Sequence, residues 1–197
     1  MAGCRPTPIA PVRVEPVLVP AAIVHWVDAH VPEGGDGTQA APFKRLGEAL
    51  ARDATVHLRS GLYEGPFILP EGVSLIGHGE AVLFAAGETT VVTAGQATLE
   101  TLSVQGGFIG MVVTGAVVLK KVHFSGHRRI AVAVSGELTV EDSVFDGTVS
   151  ETRGVSVQKG GKATVRRTKF SGAYRRCVEA EDAAVEIDGL TSEGPVE

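Results

Sequence analysis

Seven residues in three short segments of this 197-residue chain carry the most chemistry: His127-Arg128-Arg129, Arg153 and Tyr174-Arg175-Arg176. Guanidinium forks match the planar carboxylate or sulfate groups of an acidic polymer, and the Tyr174 ring is suited to stacking on a sugar. A solvated loop ridge is the alternative that the sequence leaves open. Glu179 and Glu181 form a weaker candidate. On an extended strand they project from one outer face about 6.6 Å apart, and glycoside hydrolysis needs two carboxylates flanking the sugar bond. An ordinary exposed strand edge carries the same pair.

Other chemistries find less support. Asp142, Asp146, Asp182 and Asp188 fall at different points of the local pattern, whereas calcium takes six or more oxygen ligands. His25, His30, His57, His78, His123 and His127 are scattered and show no ligand spacing, so no metal is expected. The chain has no Gly-x-Ser-x-Gly nucleophile and no phosphate loop; Gly77-His78-Gly79 reads as a turn, and no cofactor is expected. Cys177 reads as a packed, inert thiol. Cys4 closes a Met1-Ala2-Gly3-Cys4 segment that looks like the end of a bacterial lipobox. It is either the lipid-bearing residue of an envelope protein or part of a chance tripeptide.

The elements that must position these groups follow from composition and repetition. With 18 Lys+Arg against 23 Asp+Glu, the net charge of −5 argues against general electrostatic binding to nucleic acid. Hydrophobic residues at 44% suffice for a core, and 25 glycines punctuate Val-rich segments, the composition of strands and turns. No apolar run reaches the roughly 18 residues of a membrane span, so a membrane is expected only through a lipid on Cys4. Residues 1–21 read as a Pro-rich linker or tether and 22–197 as a folded domain. Ala22 to Val31 reads as a first strand, Glu33 to Thr38 as a tight turn, and residues 43–52 as a helix with Phe43, Leu46, Ala49 and Leu50 on its apolar face.

The decisive pattern is an eight-residue motif met five times: Leu99–Gly106, Leu119–Gly126, Val140–Gly147, Val165–Gly172 and Val185–Ser192. Each has an apolar first and sixth residue and ends in Gly or Ser. Starts are 20, 21, 25 and 20 residues apart. A period of this length without an internal helix describes coils that bury their faces only by stacking. The alignment predicts an internal stack of Val104, Phe124, Phe145, Phe170 and Leu190, and an outer ladder of alternating charge, Glu100, Lys120, Glu141, Arg166 and Glu186. Met111/Val113, Val132/Val134, Val155/Val157 and Val178/Ala180 supply a further face of each coil.

His25 to Gly79, with Gly35-Asp36-Gly37-Thr38, Ala41-Pro42-Phe43, Gly61-Leu62-Tyr63 and Val73-Ser74-Leu75-Ile76-Gly77-His78-Gly79, resembles the start of bacterial right-handed parallel β-helix proteins of the pectin-lyase-like class. The resemblance covers about residues 25–194. It implies an all-β, right-handed parallel β-helix, a single-stranded solenoid, with a short helix over its N-terminal end. The class includes lyases, hydrolases, adhesins and proteins without known activity, so fold does not choose among them. The functional expectation is an extracytoplasmic, non-catalytic or degenerate carbohydrate-binding module holding an acidic polysaccharide along its basic loop edge. A structural or adhesion element without a small ligand is the alternative, and a polysaccharide lyase or glycoside hydrolase a weaker one. The last coil is expected to present an apolar edge that is covered either by a continuation of the chain in a longer protein or by a protein partner or a second copy.

Overall fold

The computed structural model describes residues 22–93 and 95–193. The tether, Cys4 and residues 194–197 lie outside the described residues. The chain winds as a right-handed parallel β-helix with three faces. One face is an eight-stranded sheet, Ile23–Val27, Ala54–Leu58, Val73–Gly77, Ala97–Glu100, Ala116–Lys120, Glu137–Glu141, Lys162–Arg166 and Ala184–Asp188 in order, all parallel. A second face begins with Gly61–Glu64, Ala81–Ala85, Ser103–Gly106 and His123–Ser125, and a third with Phe67–Leu69, Thr89–Thr93, Ile109–Val113 and Ile130–Val134. The long strands Val144–Val157 and Lys169–Ala180 run across both, with register shifts between Gly147 and Arg153 at the corner.

Alternation of side chains along each strand sends one column of every pair inward. On the first face Val56, Leu75, Leu99, Leu119, Val140 and Val165 stack in register, each fully buried. On the second face Tyr63, Leu83, Val104, Phe124, Phe145 and Phe170 do the same. Phe124 and Phe145 stack with centroids 4.9 Å apart, and Phe145 and Phe170 at 4.7 Å. Met111/Val113, Val132/Val134, Val155/Val157 and Val178/Ala180 align on the third face as expected.

The charge ladder holds for four members, Glu100, Lys120, Glu141 and Arg166. Its fifth rung differs. Arg166 pairs with Asp188, and Phe170 with Ser192, so the final motif begins at Ile187 and not at Val185. The third motif position explains the shift: Thr101, Lys121, Asp142 and Arg167 have φ of 55°, 53°, 50° and 46°, and Gly189, at 68°, takes this left-handed position in the last coil. Leu190 packs against the core from the fourth motif position, not the sixth. Glu186 still reaches Arg166, at 3.5 Å, while Glu141 lies 3.9 Å from the same guanidinium.

The expected helix over residues 43–52 shrinks to one turn, Leu46–Ala49. Phe43 is drawn into pairing with the first strand, donating to Trp26 O and accepting from Asp28 N at 2.9 Å each. Arg45 and Leu50 are extended, and Gly47 weakens what remains. Leu46 and Ala49 are nevertheless buried against the first coils, so this turn closes the N-terminal end.

Candidate functional site

The corner between the second and third faces brings the arginines of three successive coils together. Arg128 N donates to Gly107 O at 3.1 Å and Arg129 N to Phe108 O at 3.0 Å; one coil on, Arg153 N donates to Arg129 O at 2.9 Å. Arg153 then pairs in register with Arg176. Arg128 and Arg129 are exposed, and the Arg128 guanidinium lies 5.4 Å from the centroid of the Phe108 ring, itself 42% exposed. A flat cation over an aromatic surface joins an electrostatic contact to an apolar one.

Two residues expected on this edge are turned inward. His127 is buried; its Nδ1–H donates to Gly106 O, and its Nε2 has no partner among protein atoms. Burial pushes its pKa below the ordinary histidine value, so the ring stays neutral. Tyr174 is also buried, edge-on to Phe170 at 5.9 Å, with its hydroxyl unpartnered in the protein. Burial drives the phenol pKa upward. Neither can meet a polymer outside. Each occupies space left by a glycine of a neighbouring coil: a Cβ on Gly110 would come within 2.5 Å of His127, and one on Gly147 within 2.9 Å of Tyr174. A large residue opposite a glycine one coil earlier is the sequence signal for this inward turn.

Glu179 is held between two guanidiniums, Arg153 Nε at 3.1 Å and Arg176 Nη1 at 2.6 Å. Glu181 lies exposed just beyond the strand, where its N–H donates to Val157 O at 3.0 Å. A carboxylate clamped by two cations is poorly suited to serve as a general base. Arg175 lies 3.6 Å from Glu151. Five arginines against Asp146, Glu151 and Glu179 leave two positive charges in excess at this corner of an acidic protein.

Elsewhere the charged groups pair along the stack. Arg167 grips Asp142 through Nε at 2.7 Å and Nη2 at 3.0 Å, holding that carboxyl below its usual range, and Lys162 does the same to Glu137 at 2.8 Å. Among the described residues no three His, Cys, Asp or Glu side chains converge. A hollow of about 500 Å³ beneath the capping turn is lined by Lys44, Arg45, Tyr63, Glu64 and Phe67, with Glu64 its one acidic residue. Cys177 is buried, with Ser192 Oγ 3.5 Å from its sulfur.

No protein-family model, curated protein or solved structure matches the chain.

Proposed function

We propose that this β-helix, of pectin-lyase-like character and bacterial, extracytoplasmic origin, is a non-catalytic module that holds an acidic polysaccharide along its arginine corner. One observation carries the reading: Arg128, Arg129, Arg153, Arg175 and Arg176 come from three stacked coils onto one edge of a chain whose net charge is −5. Coils spaced by about 4.8 Å present cations as a row, which suits a linear polyanion better than a compact ligand. The reading rests on the arginines and Phe108, since His127 and Tyr174 belong to the interior. The clamp on Glu179 favours holding over cleavage. Cys4, in its Met1-Ala2-Gly3-Cys4 segment, is the residue that would bear a lipid at the cell envelope.

The test is binding to immobilised glycans, acidic and neutral, by the wild type and by an Arg128→Glu/Arg129→Glu variant. The expected outcome is retention of uronate- or sulfate-bearing polymers by the wild type alone, with neutral glycans ignored by both. Equal retention by the two proteins would contradict it.

A second reading, an assembly element, is favoured by the last described coil. Ile187 is 49% exposed although the six residues stacked before it, from Val56 to Val165, are fully buried. Glu181, Asp182, Glu186 and Asp188 are exposed around it, so like charges oppose pairing with a second copy. A basic strand from another protein is the partner this edge fits, and cross-linking at position 187 to such a partner would identify it.

A further inference from the structure

The solenoid period places two of the scattered histidines side by side. His57 and His78 are 21 residues apart, one coil, and His57 Nδ1 lies 2.9 Å from His78 Nε2. Both rings stack on the indole of Trp26, at centroid distances of 4.5 and 5.1 Å and interplanar angles of 19° and 21°. Arg59 lies 5.8 Å from the Trp26 centroid and is itself held by Asp28 at 3.2 Å and by Gln39 O at 2.8 Å. The two imidazoles are thus oriented by the Trp26 ring, with one nitrogen of each directed at the other and His78 open to solvent.

We propose that His57 Nδ1 and His78 Nε2 form a two-histidine binding site for a divalent transition-metal ion of the nickel, copper and zinc class. Two metal–nitrogen bonds of about 2.05 Å at a tetrahedral angle separate their nitrogens by about 3.3 Å, so the gap has to open by only a few tenths of an ångström. The lone pairs, now aimed at each other, must also turn toward the ion, a rotation for which His78, on the exposed side, has room. On binding, the proton now shared between the rings moves through solvent to the far nitrogen of the donor ring. Both imidazoles stay neutral, two lone pairs reach the ion, and water completes the coordination. Imidazole selects this class of ion over magnesium or calcium, and affinity should rise from nickel to copper. Trp26 orients the rings without touching the ion, as outer groups do around metal sites.

Trp26 is the single tryptophan of the chain, so its fluorescence reports the site directly. The full chain carrying Cys4→Ser, which removes a competing thiol, is titrated with NiCl2. The expected result is saturable quenching with one ion per chain, weakened at least tenfold by His78→Ala and by His57→Ala and unchanged by His30→Ala/His123→Ala. Circular dichroism of His78→Ala should match the parent, since His78 is exposed. Quenching that fails to saturate, that survives His78→Ala, or that is lost equally in His30→Ala/His123→Ala would overturn the site. Magnesium quenching as nickel does would overturn the assigned class.

Discussion

At the scale of single residues, the position of a side chain relative to the coil decides what it can do. His127 illustrates this: its type and its neighbours Arg128 and Arg129 suggest a binding loop, but its ring fills the space over Gly110. Its pKa is depressed by burial, so the unfolded chain takes up a proton that the folded chain refuses. Stability should therefore fall as pH drops below the ordinary histidine value of 6.5 and go on falling until the buried ring itself protonates. Denaturant unfolding between pH 7 and pH 5 should show this slope, and His127→Leu should flatten it. An unchanged slope in the variant would assign the effect elsewhere. Tyr63 gives the opposite sign. Burial, with the Asp28 carboxylate nearby, pushes its phenol up to about 12, so its contribution is lost as pH rises past the ordinary tyrosine value near 10.

At the scale of the element, the eight-residue motif accounts for most of the fold, and its limits are physical. Apolar periodicity identifies the strands, their parallel stacking, the Phe124–Phe145–Phe170 column and four rungs of the charge ladder. It fails at the last coil because a slip of two residues preserves which side chains face inward. Val185 and Ile187 therefore satisfy the pattern equally. The deciding mark is Gly189, the residue best suited to the left-handed third position, where earlier coils place Thr101, Lys121, Asp142 and Arg167. The helix was legible as an apolar stripe but not in length, because pairing of Phe43 with Trp26 and Asp28 overrides local propensity. Of the arginine corner, the residue types and their segments were legible. Which of them faces solvent was not, because that depends on glycines of neighbouring coils. Two predictions belong here. Thr101→Gly should stabilise by about 0.5–1 kcal/mol, since relief of a β-branched residue at positive φ, about 1–2 kcal/mol, exceeds the extra chain entropy lost, about 0.5–1 kcal/mol. Destabilisation in urea would refute that account of the turn. Phe145→Ala should cost about 3–5 kcal/mol by removing the middle ring of the stack, and a loss below 1 kcal/mol would show that the column is not a packed core.

At the scale of the whole molecule, the parallel coil converts a sequence interval into adjacency. Residues 20 to 25 apart become neighbours about 4.8 Å away. The same rule builds the acidic-basic ladder on the first face, which is internally neutralised, and the arginine corner, which keeps an excess of positive charge. Each exposed ion pair contributes little to stability in water, and on the proposed function the excess charge of the corner serves a polyanion. That makes salt the direct probe. The most direct measurement is a calorimetric titration of the full chain with a uronate oligosaccharide at increasing sodium chloride, run beside Arg128→Glu/Arg129→Glu. The account predicts binding that weakens at least tenfold as the Debye length falls from about 10 Å at 0.1 M to about 3 Å at 1 M, and that is lost in the variant at every salt concentration. Affinity unaffected by salt, or equal in the two proteins, would contradict a polyanion held at this corner.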